Sequence, residues 1–229
     1  MQLKKESQKM NAQEYFQSAN QLKQEGKLET AIDAYRLAIN LKPEWHQPYH
    51  SLGEIFEKQG ESETAIANYE KAIELNPNFS WSYFKLANIL TQKGLLHEAV
   101  VNYKKTIDLH PNLSWSYFSL ADILTQKGLL DEAVKYYRNG IQVHRNRDAL
   151  SVYYIKLGEL LAKQKKLDQE IATCKEALKL QSNNLELYQT LAIYQAQNGE
   201  IEAAVNTYKE AFDLEPEKAE KFRQTVANI

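Results

Sequence analysis

Five histidines, one cysteine and thirty acidic residues are what this chain of 229 could bring to metal or covalent chemistry. His46 and His50 are four apart, a spacing that sets two imidazoles on one face of a helix, as a zinc site requires. Neither a cysteine nor a third histidine stands near them in sequence, so they read as two polar residues opening a helix. His110 and His144 differ by one internal period, and repeat copying accounts for both. Cys174 fills a slot held elsewhere by Tyr69, Tyr103 and Tyr137, which makes it a small buried hydrophobe and not a nucleophile. Carboxylates such as Glu70 sit beside lysines such as Lys71 on faces that water covers. The phosphate-cradling glycine loops, the G-x-S-x-G elbow and the H-E-x-x-H helix are all missing. The chain is expected to be non-enzymatic, with no catalytic residues, no metal and no cofactor.

Charge narrows the partners. Twenty-eight basic against thirty acidic residues give a net charge of -2, without the basic stripe that nucleic acid or an anionic membrane surface demands. No run of about 18 apolar residues predicts a spanning helix, so no membrane insertion is expected. The opening MQLKKESQKM has no apolar core of a signal peptide. One unpaired cysteine fits a reducing compartment, and the expected location is cytoplasmic.

The elements that would position any working residue are written periodically. SWSYFKLANILTQKGLLHEAVVNYKKTIDLHPNL begins at Ser80, and SWSYFSLADILTQKGLLDEAVKYYRNGIQVHRNR begins at Ser114. Trp81 aligns with Trp115, Leu86 with Leu120, Gly94 with Gly128 and Tyr103 with Tyr137. A period of 34 marks a helical hairpin repeat. Apolar residues recur at helical spacing on both sides of each central glycine, which supplies the turn, and a proline stops the second helix. Ala87, Ala99 and Thr106 let the two helices approach, while Tyr83 and Tyr103 fill the volume around them.

Leu86, Ala87, Leu90, Gly94, Ala99, Tyr103 and Pro111 resemble the tetratricopeptide pattern. The resemblance implies an all-α fold, an α-solenoid in which antiparallel helix pairs form a right-handed superhelix. Carrying the frame outward predicts six repeats, 12–45, 46–79, 80–113, 114–147, 151–184 and 185–216, with an insertion at 148–150. A polar extension (1–11) precedes them. Residues 217–229 are expected to form a capping helix with Phe222, Val226 and Ile229 on one face. The fifth repeat is the least regular: Lys165 replaces the turn glycine and Glu170 replaces a small packing alanine. A buried unpaired Glu170 would cost several kcal/mol. The expectation is therefore a shifted helix, or a carboxylate reaching solvent near Lys165 or Lys166. With it go a lengthened helix over 148–164 and a looser junction between the fourth and fifth repeats.

In the family that the chain resembles, first helices line the inner groove, and their second, fifth, sixth, ninth and twelfth positions face the ligand. That places Phe16, Asn20, His50, Glu54, Trp81, Phe84, Lys85, Asn88, Trp115, Phe118 and Asp122 on the candidate binding surface, with Gln92 and Gln126 just beyond the twelfth positions Thr91 and Thr125. The twin repeats would form two platforms, meeting an extended peptide about three to six residues apart. Trp81 and Trp115 have two readings, groove-lining or packed against the preceding second helix. The carboxylate clamp of chaperone-binding relatives is absent, because Phe16 and Phe84 replace lysine at the fifth position and Ser51 and Ser119 replace asparagine at the sixth. The asparagine ladder of glycosyltransferase-linked arrays is missing too, since the sixth positions read Gln17, Ser51, Lys85, Ser119, Lys156 and Thr190. The expected role is a protein-protein interaction scaffold or adaptor for a protein or peptide. Two alternatives stand beside it: an adaptor region of a larger enzyme such as a bacterial glycosyl- or sulfotransferase, and a self-associating structural module that forms a homo-oligomer.

Overall fold

Short runs of good helix formers between glycine turns fold into helices of thirteen or fourteen residues in the computed structural model, which describes residues 10–146, 150–164 and 166–214. The chain divides into two units, Met1–His110 and Pro111–Ile229. The N-terminal unit holds α1 (Ala12–Gln24), α2 (Leu28–Leu41), α3 (His46–Gln59), α4 (Ser62–Leu75), α5 (Ser80–Gln92) and α6 (Leu96–Leu109). The C-terminal unit holds α7 (Ser114–Gln126), α8 (Leu130–Val143), α9 (Ser151–Lys163), α10 (Leu167–Leu180), α11 (Leu185–Gln197) and α12 (Ile201–Leu214). No strand occurs among the described residues, and the fold is an all-α solenoid of helical hairpins. Among the described residues no helix is long and apolar enough to cross a membrane.

One local rule builds the first four hairpins. Gly94, at φ 76°, ends α5 in the left-handed region, where a side chain would be strained although a Cβ there meets no neighbour. The turn lets the Leu95 N–H reach back to the Leu90 carbonyl at 2.9 Å. The second helix then packs on the first through a small residue followed four positions later by a tyrosine. Ala31 and Tyr35, Ala65 and Tyr69, Ala99 and Tyr103, and Ala133 and Tyr137 are all buried. Alanine brings the backbones together and the ring fills the space beyond it. At the start of the chain, a capping box between Asn11 and Glu14 satisfies two N–H groups of α1, at 3.0 and 2.8 Å.

The fifth hairpin breaks the rule in another way than its sequence suggests. α9 begins at Ser151 and has thirteen residues, the same as α5 and α7, so the lengthened helix over 148–164 does not form. Residues 147–149 and Lys165 lie outside the described residues, as do the polar extension before residue 10 and the expected capping helix at 217–229. Glu170 and Cys174 take the alanine and tyrosine slots of α10, and both are buried. The Glu170 carboxylate reaches neither solvent nor Lys166, whose ammonium pairs with Asp131 at 2.9 Å. Among the described residues neither Glu170 oxygen has a hydrogen-bond partner, and burial raises the carboxyl pKa. Burial, then the neighbouring Glu170, pushes the Cys174 thiol up to about 12, leaving it protonated and unreactive.

Candidate binding face of the first helices

In the N-terminal unit the first helices are α1, α3 and α5, and charged side chains link them in sequence. Lys23 of α1 pairs with Glu54 of α3 at 2.8 Å, and Lys85 of α5 pairs with Glu57 of α3 at 3.2 Å. Burial pushes Glu54 up, but the combined pull of Lys23, His50 and Lys85 leaves its pKa lowered, so it is a carboxylate at neutral pH. His50 sits among Tyr69, Phe79 and Ser82, with Nδ1 hydrogen-bonded to the Ser82 hydroxyl at 3.0 Å. Burial pushes its pKa down to about 4, against the opposing charge of Glu54, so the imidazole is neutral at pH 7. His46 turns to Asn76 at 3.2 Å, so the two imidazoles engage different partners.

The ninth positions are largely consumed by the fold. The Tyr35 hydroxyl donates to Asn20 Oδ1 at 2.6 Å, and the Tyr103 hydroxyl donates to Asn88 Oδ1 at 2.7 Å. In the third hairpin's neighbour the same service falls to a twelfth-position residue, since the Tyr69 hydroxyl donates to Glu57 Oε2 at 2.7 Å. Phe16 packs against Tyr35 and Trp45, with centroids 5.7 and 4.7 Å away. What remains open is aromatic. Trp81 is 43% exposed, held edge-on by Phe84 and His110, while Phe84 is half-buried against Tyr103. Gln92 is exposed at the end of α5.

In the C-terminal unit Trp115 is 48% exposed, with edge contacts to Phe118, His144 and Tyr153. Trp81 and Trp115 therefore are not sealed against second helices. Asp122 accepts from the Tyr137 hydroxyl and pairs with Lys156 of α9 at 2.8 and 3.0 Å, so both of its oxygens are occupied. Beside it lies a cleft of about 150 Å³ lined by Asp122, Thr125, Tyr137, Lys156 and Glu159. Gln126 is exposed.

Phe118 does not lie on the binding surface where its position predicts it. It is 2% exposed and cannot meet a partner, although its position in the helix matches that of Phe84. Two neighbours decide the difference. Gly140 stands where the preceding hairpin has Thr106, and a Cβ at Gly140 would lie 2.5 Å from Phe118 Cε1. Tyr153, the third residue of α9, lies flat over the outer side of the ring, 3.5 Å between centroids and 5° between planes. Third-position residues cover the fifth position of the preceding first helix, as Ser82 does for His50. Serine covers little and tyrosine covers all. Tyr153 and His144 were the aromatic-face residues missed by periodic reading, and the visible signal was tyrosine in a slot holding Ser82 and Ser116 in the twin repeats.

The junction between the fourth and fifth hairpins is thus filled with rings on the first-helix side. On the second-helix side it opens as a cleft of about 430 Å³, lined by Arg138, Gln142, Gln169 and Glu176. Among the described residues no group of three or more histidine, cysteine or acidic side chains is gathered to hold a metal ion.

Models of the tetratricopeptide repeat match residues 19–60, 58–94, 102–135, 82–113, 152–184 and 185–218. No curated protein sequence matches the chain. Solved structures do. YrrB, described as a TPR protein with an unusual peptide-binding site, is 19% identical with a TM-score of 0.65 over 84% of this chain and 99% of its own. MamA is 21% identical with a TM-score of 0.64, over 78% of this chain and 96% of its own. The C-terminal part of a TPR repeat-containing protein from Cytophaga hutchinsonii is 17% identical with a TM-score of 0.70, over 87% and 78%. At these identities the likeness concerns the fold.

Proposed function

The chain belongs to the tetratricopeptide repeat family, a class of protein-interaction modules, and from that premise we propose that it is a non-enzymatic adaptor that holds a peptide or protein segment along its first helices. The observation that carries this reading is the exposure of the two indoles, at 43% and 48%, at matched positions of twin helices. A surface tryptophan fixed by edge contacts loses little further freedom on binding, and such residues dominate interface energies. Each one covered by a partner contributes about 1.5–3 kcal/mol. YrrB offers a precedent, since a protein of this fold is described as having a peptide-binding site. The working residues of the proposal are Trp81 with Phe84, and Trp115 with Tyr153. Charges on the first helices are paired within each unit, Lys23–Glu54 and Lys85–Glu57 in one and Lys156–Asp122 in the other. A buried, protonated thiol fits work in the reducing cytoplasm.

The test is capture of partners from a peptide array by the intact chain, compared with Trp81→Ala and Trp115→Ala. Each substitution is expected to weaken capture by about tenfold or more while moving the thermal midpoint by no more than about 2 °C. Capture that survives both substitutions refutes the assignment of this face.

A further inference from the structure

We infer that the segment bound at the C-terminal unit is uncharged, extended and proline-bearing, and that it docks in the corner between Trp115 and Tyr153. This rests on the adaptor reading and adds the chemistry of the partner. The two rings meet at 74° with centroids 6.2 Å apart, forming a corner that presents two aromatic walls. Both walls are fixed from behind. Phe118 lies flat against Tyr153, and His144 stands edge-on to Trp115 with centroids 5.5 Å apart. His144 is itself anchored by a 2.7 Å hydrogen bond between Nδ1 and the Ser114 hydroxyl. A rigid aromatic corner suits the polyproline II conformation, whose own stiffness keeps the entropic cost of docking low.

Hydrogen bonding points the same way. Neither the Trp115 indole N–H nor the Tyr153 hydroxyl has a hydrogen-bond partner among the described residues, whereas the indole N–H of Trp45 is satisfied by Gln47. The corner thus offers two donors. A proline-bearing strand has carbonyl oxygens free to accept them and lacks the N–H groups that would need acceptors in return. Charge completes the selection. Asp122, whose charge is felt at Tyr153, pairs with Lys156 at 2.8 Å, and both of its oxygens are taken. A charged ligand residue would gain no partner from that pair and would lose hydration against the rings.

The experiment presents the full chain to an array of synthetic dodecapeptides in which proline content and net charge vary independently, followed by fluorescence polarisation on the peptides retained. The expected result is enrichment of neutral, proline-bearing peptides. Affinity for them should fall about tenfold or more with Trp115→Ala, and about two- to tenfold with Tyr153→Phe, which removes the hydroxyl and keeps the ring. Because Tyr153→Phe preserves the stack on Phe118, its loss of affinity is readable even if Trp115→Ala were to unsettle the helix. Retained peptides that are charged or proline-free, yet depend on Trp115, overturn the proline assignment and leave the adaptor reading standing. Binding indifferent to Trp115 overturns the corner assignment, and the adaptor reading falls with it only if capture also survives Trp81→Ala. If no peptide is retained at about 100 μM, well above ordinary adaptor affinities, the corner is not a peptide site and the inference fails.

Discussion

Replacing Glu170 with alanine is expected to stabilise the C-terminal unit by about 1–2 kcal/mol at pH 7. The perturbation restores what the other hairpins have, because Ala31, Ala65, Ala99 and Ala133 occupy the equivalent slot and are fully buried. Glu170 is 0% exposed and neither of its oxygens has a partner among the described residues. A neutral buried polar group left in that state costs about 1–3 kcal/mol, and an ionised one costs more. Against this stands the void left by the missing atoms, on the order of 1 kcal/mol if the helices cannot close over it. Closure of α9 and α10 towards the spacing of the four alanine hairpins removes that void, and the polar term then wins. Better helix propensity adds a few tenths of a kcal/mol.

The sign of the pH dependence separates this from ordinary repacking. Burial raises the folded-state pKa of Glu170, so the folded chain keeps a proton that the unfolded chain has released. The charge that is hardest to bury therefore appears as pH climbs from the ordinary glutamate value through the raised one, and stability falls over that window. The advantage of Glu170→Ala should be smallest near pH 4 and full above the raised pKa. Denaturant unfolding followed by circular dichroism at pH 4, 5.5 and 7, with hydrogen exchange in α10, measures it. Glu170→Gln keeps the shape and abolishes the titration, so its stability should lose the pH slope without gaining the whole benefit. If Glu170→Ala is less stable than the parent by 1 kcal/mol or more at pH 7, the carboxylate has a stabilising partner and the reasoning is refuted.

His50 should give the opposite slope: with its pKa pushed down to about 4, the N-terminal unit keeps its full stability above about pH 6.5 and loses roughly 3 kcal/mol as pH falls through 4, read by denaturant midpoints. His50→Phe, which installs the residue found at Phe16, Phe84 and Phe118, should flatten that acid limb. Gly140→Ala should destabilise the C-terminal unit by about 1–3 kcal/mol in thermal melts despite its better helix propensity, because Phe118 is pinned between the new methyl and Tyr153. Adding Tyr153→Ser should recover part of that loss, since the ring can then move outward.

Fold and site were legible to different depths for a physical reason. The repeated alanine, tyrosine and glycine of each hairpin make contacts inside that hairpin, so Ala99, Tyr103 and Gly94 announce the fold from their spacing alone. The binding face is made between hairpins, and there the period misleads. Phe84 and Phe118 share a position and differ in exposure because Thr106 and Gly140 differ behind them, and because Tyr153 arrives from the next hairpin. The indoles were ambiguous for a similar reason: a second-position side chain is buried or bare according to what the preceding and following helices place beside it. Only the packing between hairpins decides that, and it leaves both rings half open.

Glu170 and His50 show the same limit in electrostatic terms, and together they order the unfolding of the two units. Each puts a titratable group where other hairpins put alanine or phenylalanine, and burial shifts each towards its neutral form. Acid protonates the unfolded histidine first and so draws the N-terminal unit apart, while it relieves the C-terminal unit by keeping the glutamate neutral. Rising pH reverses both effects. Because hairpins in such arrays are stabilised chiefly by their neighbours, these opposing slopes should appear as separate local openings in hydrogen exchange and not as one shared transition. Amides of α3 should open most readily near pH 4, and amides of α10 near pH 7. Uniform protection across both helices at both pH values would mean that neither buried group governs its own hairpin.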